Sequence, residues 1–302
     1  MNGKRILIVG SSNTDMVIKT QNFPAPGETI LGGRFLMNAG GKGANQAVAA
    51  ARLGGLVTFV GKIGDDIFGK QAVQQLEDEG INVDFVAVDS ENPSGVALIT
   101  VDRKGENSIV VAPGSNGTLS SADFDKAKAM LSESEFILMQ LEIPIPTVEH
   151  IAQLAAMEQK KVILNPAPAA RLSDQLLKDL YIITPNETEA ELLTGIRVTD
   201  ESTALKASTL LHDKGIEIVV ITMGSAGAFL LSDGHHEIIS APKVEAVDTT
   251  AAGDTFNGAL VVALSEGKTI QQSIAFANKA AAISVTRIGA QSSVPFRKEI
   301  LN

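Results

Sequence analysis

The sequence contains no cysteine. Its absence excludes disulfide bonds, thiolate nucleophiles and cysteine-ligated zinc, and it is compatible with a reducing cytosol. Histidine is scarce, with only four residues, and none of them has the HExxH spacing of zinc proteases. The adjacent residues His235 and His236 lie in a polar turn, which favours a solvated surface over a metal site.

A positive charge excess is also lacking. The chain has 25 basic and 35 acidic side chains, which gives a net charge of −10 at pH 7. This balance argues against a nucleic-acid partner and against an anionic membrane. The N-terminal apolar run at 6–9 is too short for a signal peptide, and no uncharged apolar run approaches membrane-spanning length. We therefore expect a cytoplasmic protein with neither partner.

Both standard nucleotide-binding motifs are missing. The glycines Gly41 and Gly43 resemble the start of a dinucleotide fingerprint, but Gln46 stands where the third glycine belongs. No GxxxxGK[ST] sequence occurs, so there is no P-loop. What remains is a glycine-rich turn whose backbone can approach a small polar ligand closely.

The chain has the pattern of a large α/β protein. It has 302 residues, of which 44% are hydrophobic, enough for a sizeable core. The continuous apolar run at 6–9 predicts a buried parallel strand. From residue 120 onward strands alternate with helices, which predicts a largely parallel sheet. The expected helices include 44–53, 120–131, 146–159, 201–214 and 270–285, and the expected strands include 136–141, 162–164, 181–184 and 218–222.

Four further strands do not fit this alternation. The stretches 16–19 and 28–37 read as exposed strands, and 94–101 and 107–111 read as a hairpin. Together they predict a small separate sheet that would serve as a lid, a dimer surface or both. Its exposed apolar face would contain Val17, Ile30, Leu98 and Ile109.

The stretch DTTAAGDTFNGA at 248–259 carries the strongest functional signal. It opens a predicted amphipathic helix that runs to about residue 266. A helix N-terminus has bare amides and a partial positive charge, so it is an anion site. A carboxylate in the first turn, Asp254, suits a general base beside that anion. Alternatively, Asp254 caps the helix and Gly253 only permits close packing.

Five stretches together resemble one family. They are GGKGANQA at 40–47, NPAP at 165–168, TPNETE at 184–189, TMGSAG at 222–227 and DTTAAGD at 248–254. Taken in order over the whole chain, they look like the ribokinase-like (phosphofructokinase-B type) carbohydrate kinases, and AAGD is similar to the ribokinase branch. The resemblance implies one three-layer α/β/α domain over 1–302 with a mostly parallel central sheet. It also implies a small β-sheet lid at about 14–38 and 94–112, which would pair between the subunits of a homodimer.

The resemblance further implies an activity. It is the ATP-dependent phosphorylation of D-ribose at the 5-hydroxyl, with Asp254 as general base and an anion hole formed by the amides of Ala251, Ala252 and Gly253. The short polar side chains that a furanose requires, together with nearby backbone, would come from Asn13, Asp15, Gly41, Lys42, Asn45, Glu142 and Asp254. For Asn13 alone, Asx-turn chemistry at a strand end is a serious alternative.

Three further ligands are implied by the same resemblance. Mg²⁺ would be held through water by Glu189, which suits the reluctance of that ion to dehydrate. K⁺ would be bound mostly through backbone carbonyls, and Arg287 could offer only its carbonyl. The implied K⁺ residues are Asp248, Thr250, Ser284, Arg287, Gly289 and Ser293. The implied ATP-binding residues are Asn186, Thr222, Gly224, Ser225, Gly227, Gly253 and Asn278.

Other functions remain open from the sequence. Another sugar or nucleoside kinase of the same fold, such as a deoxyribose kinase or a fructokinase, is the first alternative. A non-catalytic sugar- or nucleotide-binding protein is a second, although pure binding does not require a base such as Asp254. A dehydrogenase is a third, and the broken glycine fingerprint disfavours it.

Overall fold

The computed structural model describes residues 5–300, and their strands form one large sheet, one small sheet and one short pair. The large sheet has the spatial order β14-β13-β12-β11-β10-β9-β1-β4, and all its pairs from β4 to β12 are parallel. Only β13 runs antiparallel to its neighbours. These strands are β1 (Arg5–Val9), β4 (Leu56–Val60), β9 (Ser134–Met139), β10 (Lys161–Leu164), β11 (Ile182–Ile183), β12 (Ile218–Thr222), β13 (Ala228–Ser232) and β14 (His235–Ile239).

Both faces of the large sheet are buried. Successive side chains of a strand point to opposite faces, and in β1 Leu7 and Val9 join one apolar cluster while Ile6 and Ile8 join another. The continuous apolar run predicted from the sequence follows from this two-sided burial.

Helices cover each face. The cluster with Leu7 is covered by α3 (Ser121–Asp125), α4 (Lys128–Glu133), α5 (Ile145–Met157), α6 (Asp174–Lys178), α7 (Glu187–Thr194) and α8 (Glu201–His212). The cluster with Ile6 is covered by α1 (Lys42–Arg52), α2 (Ile67–Asp78), α9 (Ala252–Ser265), α10 (Ile270–Ser284) and α11 (Arg297–Ile300). The expected three-layer α/β/α class, with a mostly parallel sheet, is confirmed. No helix within residues 5–300 is long and apolar enough to cross a membrane.

The small sheet begins just beyond the end of β1. Its order is β3-β2-β7-β8, with β2 and β7 parallel in the centre and both edges antiparallel. The strands are β2 (Asn13–Lys19), β3 (Phe35–Gly40), β7 (Gly95–Val101) and β8 (Asn107–Ala112).

The register of the small sheet overturns one prediction. Val17 lies beside Ile99, which lies beside Ile109, so Val17 and Ile109 share a face. Leu98 occupies the opposite face, and Ile30 lies outside the strands. The prediction that all four side chains line one face is therefore wrong, because a shift of one residue along a strand changes the face.

Several element boundaries also differ from the predictions. Of the strand expected at 28–37, only the part within β3 forms. Residues 20–34 form no strand, and they include Gly32 and Gly33, which have no side chain to pack and so weaken a strand. Helix α1 begins at Lys42 rather than at residue 44. The helix expected at 120–131 is divided into α3 and α4, where the Ala127 amide donates to the Phe124 carbonyl three residues back. The short parallel pair β5 (Lys62–Gly64) and β6 (Ala87–Asp89) was not anticipated.

Helix α9 is buried on nearly all sides rather than amphipathic. From Asp254 to Ala263 every residue is buried, because α9 packs between α1, α10 and the sheet. A helix that is apolar all round is a core helix. The expectation of an amphipathic helix was wrong, and its consequence is that the first turn of α9 reaches the site from inside the core.

Candidate active site

Asp254 lies in the first turn of α9 and is only 6% exposed. The residue before the helix, Ala251, has a left-handed backbone with φ of 57°, and no side chain caps the N-terminus. Within residues 5–300 we find no acceptor for the amides of Ala251 and Gly253. The Ala252 amide, in contrast, already donates to the Thr249 carbonyl at 3.2 Å, so it would have to share its hydrogen with an anion.

Two amide side chains of α1 hold the Asp254 carboxylate. Asn45 Nδ2 donates to Oδ2 and Gln46 Nε2 donates to Oδ1, each at 2.9 Å. The capping alternative does not apply to this side chain, because both of its oxygens bond to another helix. Gly41, just before α1, allows the start of this helix to lie close to the backbone at Asn13. Its φ is 87°, and a Cβ there would lie 2.7 Å from the Asn13 nitrogen.

The other predicted sugar residues gather beside α1. Glu142 Oε2 accepts hydrogen bonds from the Lys42 amide at 3.0 Å and from Ser11 Oγ at 2.5 Å. Asn13 Oδ1 accepts from Asn116 Nδ2 at 2.8 Å, which ties Asn13 to a residue that the sequence analysis did not identify. These side chains follow the ends of β1 and β9, where open α/β sheets bind ligands.

The Lys42 ammonium group interacts with four carboxylates. Burial lowers its pKa, but the four negative charges outweigh burial and raise the pKa above its usual range. Lys42 therefore stays charged and balances part of the negative charge of the site. The four carboxylates are those of Asp254, Glu142, Glu189 and Asp15.

Asp15 has the most perturbed carboxyl group of the site. Burial, together with the charges of Glu142 and Asp254, raises its pKa to about 6, while Lys42 opposes the rise. The carboxylate form is therefore costly in the absence of a ligand. A hydroxyl-bearing ligand that donates to it would replace the water lost on burial.

A cavity of about 800 Å³ adjoins these residues. Lys42 and Asp254 line this cavity. Both also belong to the group of predicted sugar-binding residues around α1, here called the sugar-side cluster: Asn13, Asp15, Gly41, Lys42, Asn45, Glu142 and Asp254. Asn278 Nδ2 already donates to the Ile239 carbonyl at 2.7 Å, which leaves its oxygen and one amide hydrogen for a ligand. All seven residues predicted to bind the nucleotide line this cavity: Asn186, Thr222, Gly224, Ser225, Gly227, Gly253 and Asn278.

Asn186 and Glu189 form a reciprocal capping box at the start of α7. Asn186 Oδ1 accepts from the Glu189 amide at 2.8 Å, and Glu189 Oε2 accepts from the Asn186 amide at 2.9 Å. Burial raises the pKa of Glu189, partly countered by the Asn186 amide and by Lys42. One oxygen, Oε1, remains for a metal-bound water, so a Mg²⁺ ion held mainly by water and phosphate fits this residue. No group of three or more acidic or histidine side chains in the described part of the chain could hold a metal ion.

The residues predicted for K⁺ converge on one loop junction. Asp248 accepts hydrogen bonds from Thr250 at Oδ1 and from the Gly289 amide at Oδ2. Burial raises the pKa of Asp248, but these hydrogen bonds outweigh burial and hold the pKa below its usual value. The Asp248 amide donates to Val285 at the end of α10, next to Ser284.

The remaining predicted K⁺ residues offer fewer free groups. The Ser284 carbonyl accepts from the Arg287 amide at 3.0 Å, and the Ser293 hydroxyl donates to Ala290 at 2.8 Å. The Arg287 guanidinium pairs with Glu299, which leaves only its carbonyl for a cation. The junction therefore keeps one carboxylate, that of Asp248, and the Arg287 carbonyl as oxygen donors for a large monovalent cation.

Sequence reasoning missed several polar residues of the site. Gln46, Gln140, Asn165 and Thr184 are buried and joined to Asp254 by hydrogen bonds. A signal was available for three of them, because Gln140, Asn165 and Thr184 each follow a buried strand at its carboxyl end. Gln46 appeared in the sequence analysis as the residue that breaks a glycine fingerprint and as part of GGKGANQA, but it was given no role in the site.

A large cavity, a buried carboxylate and an uncapped helix N-terminus are together features of an α/β enzyme that transfers phosphoryl groups. Comparison with known proteins also indicates an enzyme that transfers phosphoryl groups. The family described as pfkB family carbohydrate kinase matches residues 4–297. The chain therefore belongs to the pfkB family of carbohydrate kinases.

Individual relatives share almost the full chain. A ribokinase of Haemophilus influenzae is 50% identical over 298 residues, covering 99% of this chain and 97% of its own. The solved Arabidopsis thaliana ribokinase, complexed with ribose and ATP, has a TM-score of 0.94 at 33% identity and covers 99% and 98%. A deoxyribokinase of Salmonella typhi is 38% identical and covers 96% and 95%. Sugars other than ribose are thus represented among the relatives.

Proposed function

We propose that this protein transfers the γ-phosphoryl group of ATP to the 5-hydroxyl of D-ribose. One observation carries the proposal: Asp254 belongs both to the sugar-side cluster, through its hydrogen bond from Asn45, and to the lining of the cavity. A sugar hydroxyl bound at Asp254 would therefore lie next to a nucleotide bound in the cavity. The similarity to ribokinases, one of them solved with ribose and ATP, supports ribose as the acceptor.

The proposed chemistry follows from the geometry. Asp254 accepts the proton of the 5-hydroxyl as that oxygen bonds to the γ-phosphorus, and the bond from phosphorus to the β-phosphate oxygen breaks, releasing ADP. The free amides of Ala251 and Gly253 face the developing negative charge at the N-terminus of α9. Lys42 adds a positive charge beside the base. The primary hydroxyl is the acceptor because the ring hydroxyls bind to Asp15 and its neighbours.

Two metal ions belong to the proposal. Mg²⁺ would neutralise phosphate charge while water connects it to Glu189, and K⁺ would occupy the junction of Asp248, Thr250 and Gly289. The negative loop next to the anion-binding amides supports the K⁺ site, since a bound cation there would favour an anion at Ala251. ATP as the phosphoryl donor is also consistent with the cytoplasmic location expected from the sequence.

The last part of the proposal is a homodimer formed through the small sheet. Strand β8 is an edge strand whose side chains Ile109, Val110 and Val111 are 52%, 65% and 45% exposed, so apolar groups reach solvent on both faces. Leu98, on the face opposite to Asp15, is 55% exposed. A long apolar edge strand is normally covered, and a second copy of the same sheet would cover it.

The second candidate is a kinase for 2-deoxyribose. The observation in its favour is the similarity to the Salmonella typhi deoxyribokinase, at an identity equal to that of the Staphylococcus aureus ribokinase. Fructose and nucleosides are further acceptors on this fold, and a non-catalytic sugar-binding protein remains the least favoured possibility.

The test is a coupled assay of ADP release with a panel of pentoses, hexoses and nucleosides, followed by NMR of the product. We expect ribose as the best acceptor, with phosphorus on O5. In Asp254→Asn, kcat should fall about 10²–10⁴-fold, the usual contribution of general-base catalysis, while ribose and ATP still bind by calorimetry. A variant with native kcat, or a product phosphorylated at another oxygen, would refute the mechanism.

A further inference from the structure

Two glutamine side chains lie completely buried beneath Asp254. Gln46, on α1, donates from Nε2 to Asp254 Oδ1 at 2.9 Å and to Asn165 Oδ1 at 3.0 Å. Gln140, which follows β9, donates from Nε2 to Gln46 Oε1 at 2.6 Å. Neither glutamine is among the described residues that line the 800 Å³ cavity, so a nucleotide bound there does not reach them.

The hydrogen bonds determine which end of Gln46 faces Asp254. An ionised carboxylate only accepts hydrogen bonds, so Gln46 must present its NH₂ group to Asp254. The opposite end of that amide then requires a donor, and Gln140 supplies it. If the Gln46 amide were reversed, its oxygen would face the oxygens of Asp254 and Asn165, and its NH₂ would face the NH₂ of Gln140. The acceptors Asp254 and Asn165 therefore fix the orientation of Gln46, and Gln140 supports it by donating to Gln46 Oε1, while its own Oε1 is buried without a partner in the described structure.

A second route connects the same base to the helix N-terminus. Asn165 Nδ2 donates to the Thr184 carbonyl at 3.2 Å, and Thr184 Oγ1 donates to Asn257 Oδ1 at 2.6 Å. Asn257 Nδ2 then donates to the Gly253 carbonyl at 2.8 Å. The hydrogen bonds thus form a closed ring from Asp254 back to Gly253, the residue that precedes it.

The ring distinguishes the two oxygens of Asp254. Oδ1 is occupied by Gln46 in the interior. Oδ2 accepts only from Asn45, whose own Oδ1 is buried without a partner in the described structure. A sugar hydroxyl that approached Oδ2 would therefore lie beside this unused acceptor.

We propose that Gln46, supported by the hydrogen bond from Gln140, is a positioning residue that holds Asp254 Oδ1 and leaves Oδ2 to receive the proton from the sugar hydroxyl. The inference rests on the proposed kinase function. Burying two amides costs free energy unless they are hydrogen-bonded, and packing alone would be achieved as well by apolar side chains of similar volume. A role in positioning the carboxylate explains why two buried amides are present despite this cost, because a misplacement of about 1 Å in a reacting group lowers rates by roughly 10²-fold.

The experiment is a double-mutant cycle with Gln46→Leu, Gln140→Leu and the pair of changes together. Gln140→Leu should lower kcat by about tenfold or more, and the KM for ribose and ATP should change less than about twofold. In the Gln46→Leu background the same change should have no further effect on kcat, because Gln140 acts only through Gln46. Two purely structural losses would instead multiply.

Two further variants keep the test decisive. Gln140→Met keeps an unbranched side chain of similar length but removes the donor, so it should reproduce the kcat loss even if the leucine variant folds poorly. Ser265→Ala removes a buried hydroxyl that bonds to Val262 at the far end of α9. It should reduce thermal stability while kcat stays native.

The possible outcomes separate the two proposals. A native protein that phosphorylates no sugar would overturn the proposed function and the positioning role with it. An active native protein would overturn the positioning role alone if the folded Gln140 variants kept native kcat. The same conclusion would follow if the losses from Gln46→Leu and Gln140→Leu multiplied.

Discussion

The carboxylate of Asp15 occupies the space that a side chain at Gly40 would need. A Cβ on Gly40 would lie 2.3 Å from both carboxylate oxygens. Asp15 is on β2, and Gly40 ends the neighbouring strand β3, where it lies opposite Asn13. The glycine thus allows the Asp15 side chain to lie flat across its own sheet at the edge of the sugar site.

Gly40→Ala should weaken ribose binding selectively. The methyl group displaces the end of the Asp15 side chain, which can move, so the protein should fold. A hydrogen bond to the sugar is then lost, which costs about 1–3 kcal/mol and corresponds to an increase in KM for ribose of roughly 5- to 150-fold. The KM for ATP should stay native. Gly117→Ala is the matched control, because its Cβ would only touch Pro113 at 3.4 Å. Equal KM values in both variants would contradict this placement of Asp15.

Ribose binding should weaken in acid. The pKa of Asp15 is raised to about 6, so the carboxylate that accepts sugar hydroxyls is protonated increasingly below pH 6. The KM for ribose should therefore rise as pH falls from 7 to 5. In Asp15→Asn, the KM should be high and nearly independent of pH over that range. A native KM that is constant from pH 5 to 7 would show that Asp15 titrates elsewhere or does not contact the sugar.

Asp15 should also reduce the stability of the ligand-free protein. Its folded pKa of about 6 lies above the ordinary value of 3.8, so the stability gained by protonation is fully present below pH 4 and lost as pH rises through 6. The shift corresponds to at most about 3 kcal/mol. Without ribose, Asp15→Asn should therefore have the higher Tm at pH 8, and the difference should vanish toward pH 4. A lower Tm for the variant at pH 8 would contradict this.

Ribose should be preferred to 2-deoxyribose. A site that pairs buried polar groups with hydroxyls leaves those groups unpaired when one hydroxyl is missing, at a cost of about 1–3 kcal/mol. We expect kcat/KM for ribose to be higher by roughly one to two orders of magnitude, and Asp15→Ala to erase most of that preference. Comparable values for both sugars in the native protein would favour the deoxyribose kinase alternative.

K⁺ should activate the enzyme without altering its fold. The negative charge of Asp248, kept ionised by hydrogen bonds from Thr250 and Gly289, favours a cation beside the amides at Ala251. Rates should therefore be higher in KCl than in tetramethylammonium chloride at equal ionic strength, and Asp248→Asn should reduce the difference. Circular dichroism should be the same in both salts. Equal rates for the native protein would rule the site out.

The layer architecture was available from the sequence, because it depends on local patterns. A strand buried on both faces must be apolar throughout, so the run at 6–9 and its successors could be recognised without knowing their neighbours. The start of α9 was predictable for a similar reason: small residues and a carboxylate in a first turn satisfy requirements of the helix terminus itself. The resemblance of five stretches to one family then supplied the roles of residues that local chemistry left ambiguous.

The tertiary structure determined how the Asp254 carboxylate is held and which faces of the helices and of the small sheet are exposed. Gln46 and Asp254 are 208 residues apart in the chain, and Gln140 and Gln46 are 94 apart, so no local pattern encodes their hydrogen bonds. The face on which Leu98 lies depends on the pairing of β2 with β7, and the all-round burial of α9 depends on helices from both ends of the chain. Sequence by itself determined what each segment can form, because propensity and patterning act over a few residues. Burial and pairing arise only when distant segments pack together, and they determined which polar groups face Asp254.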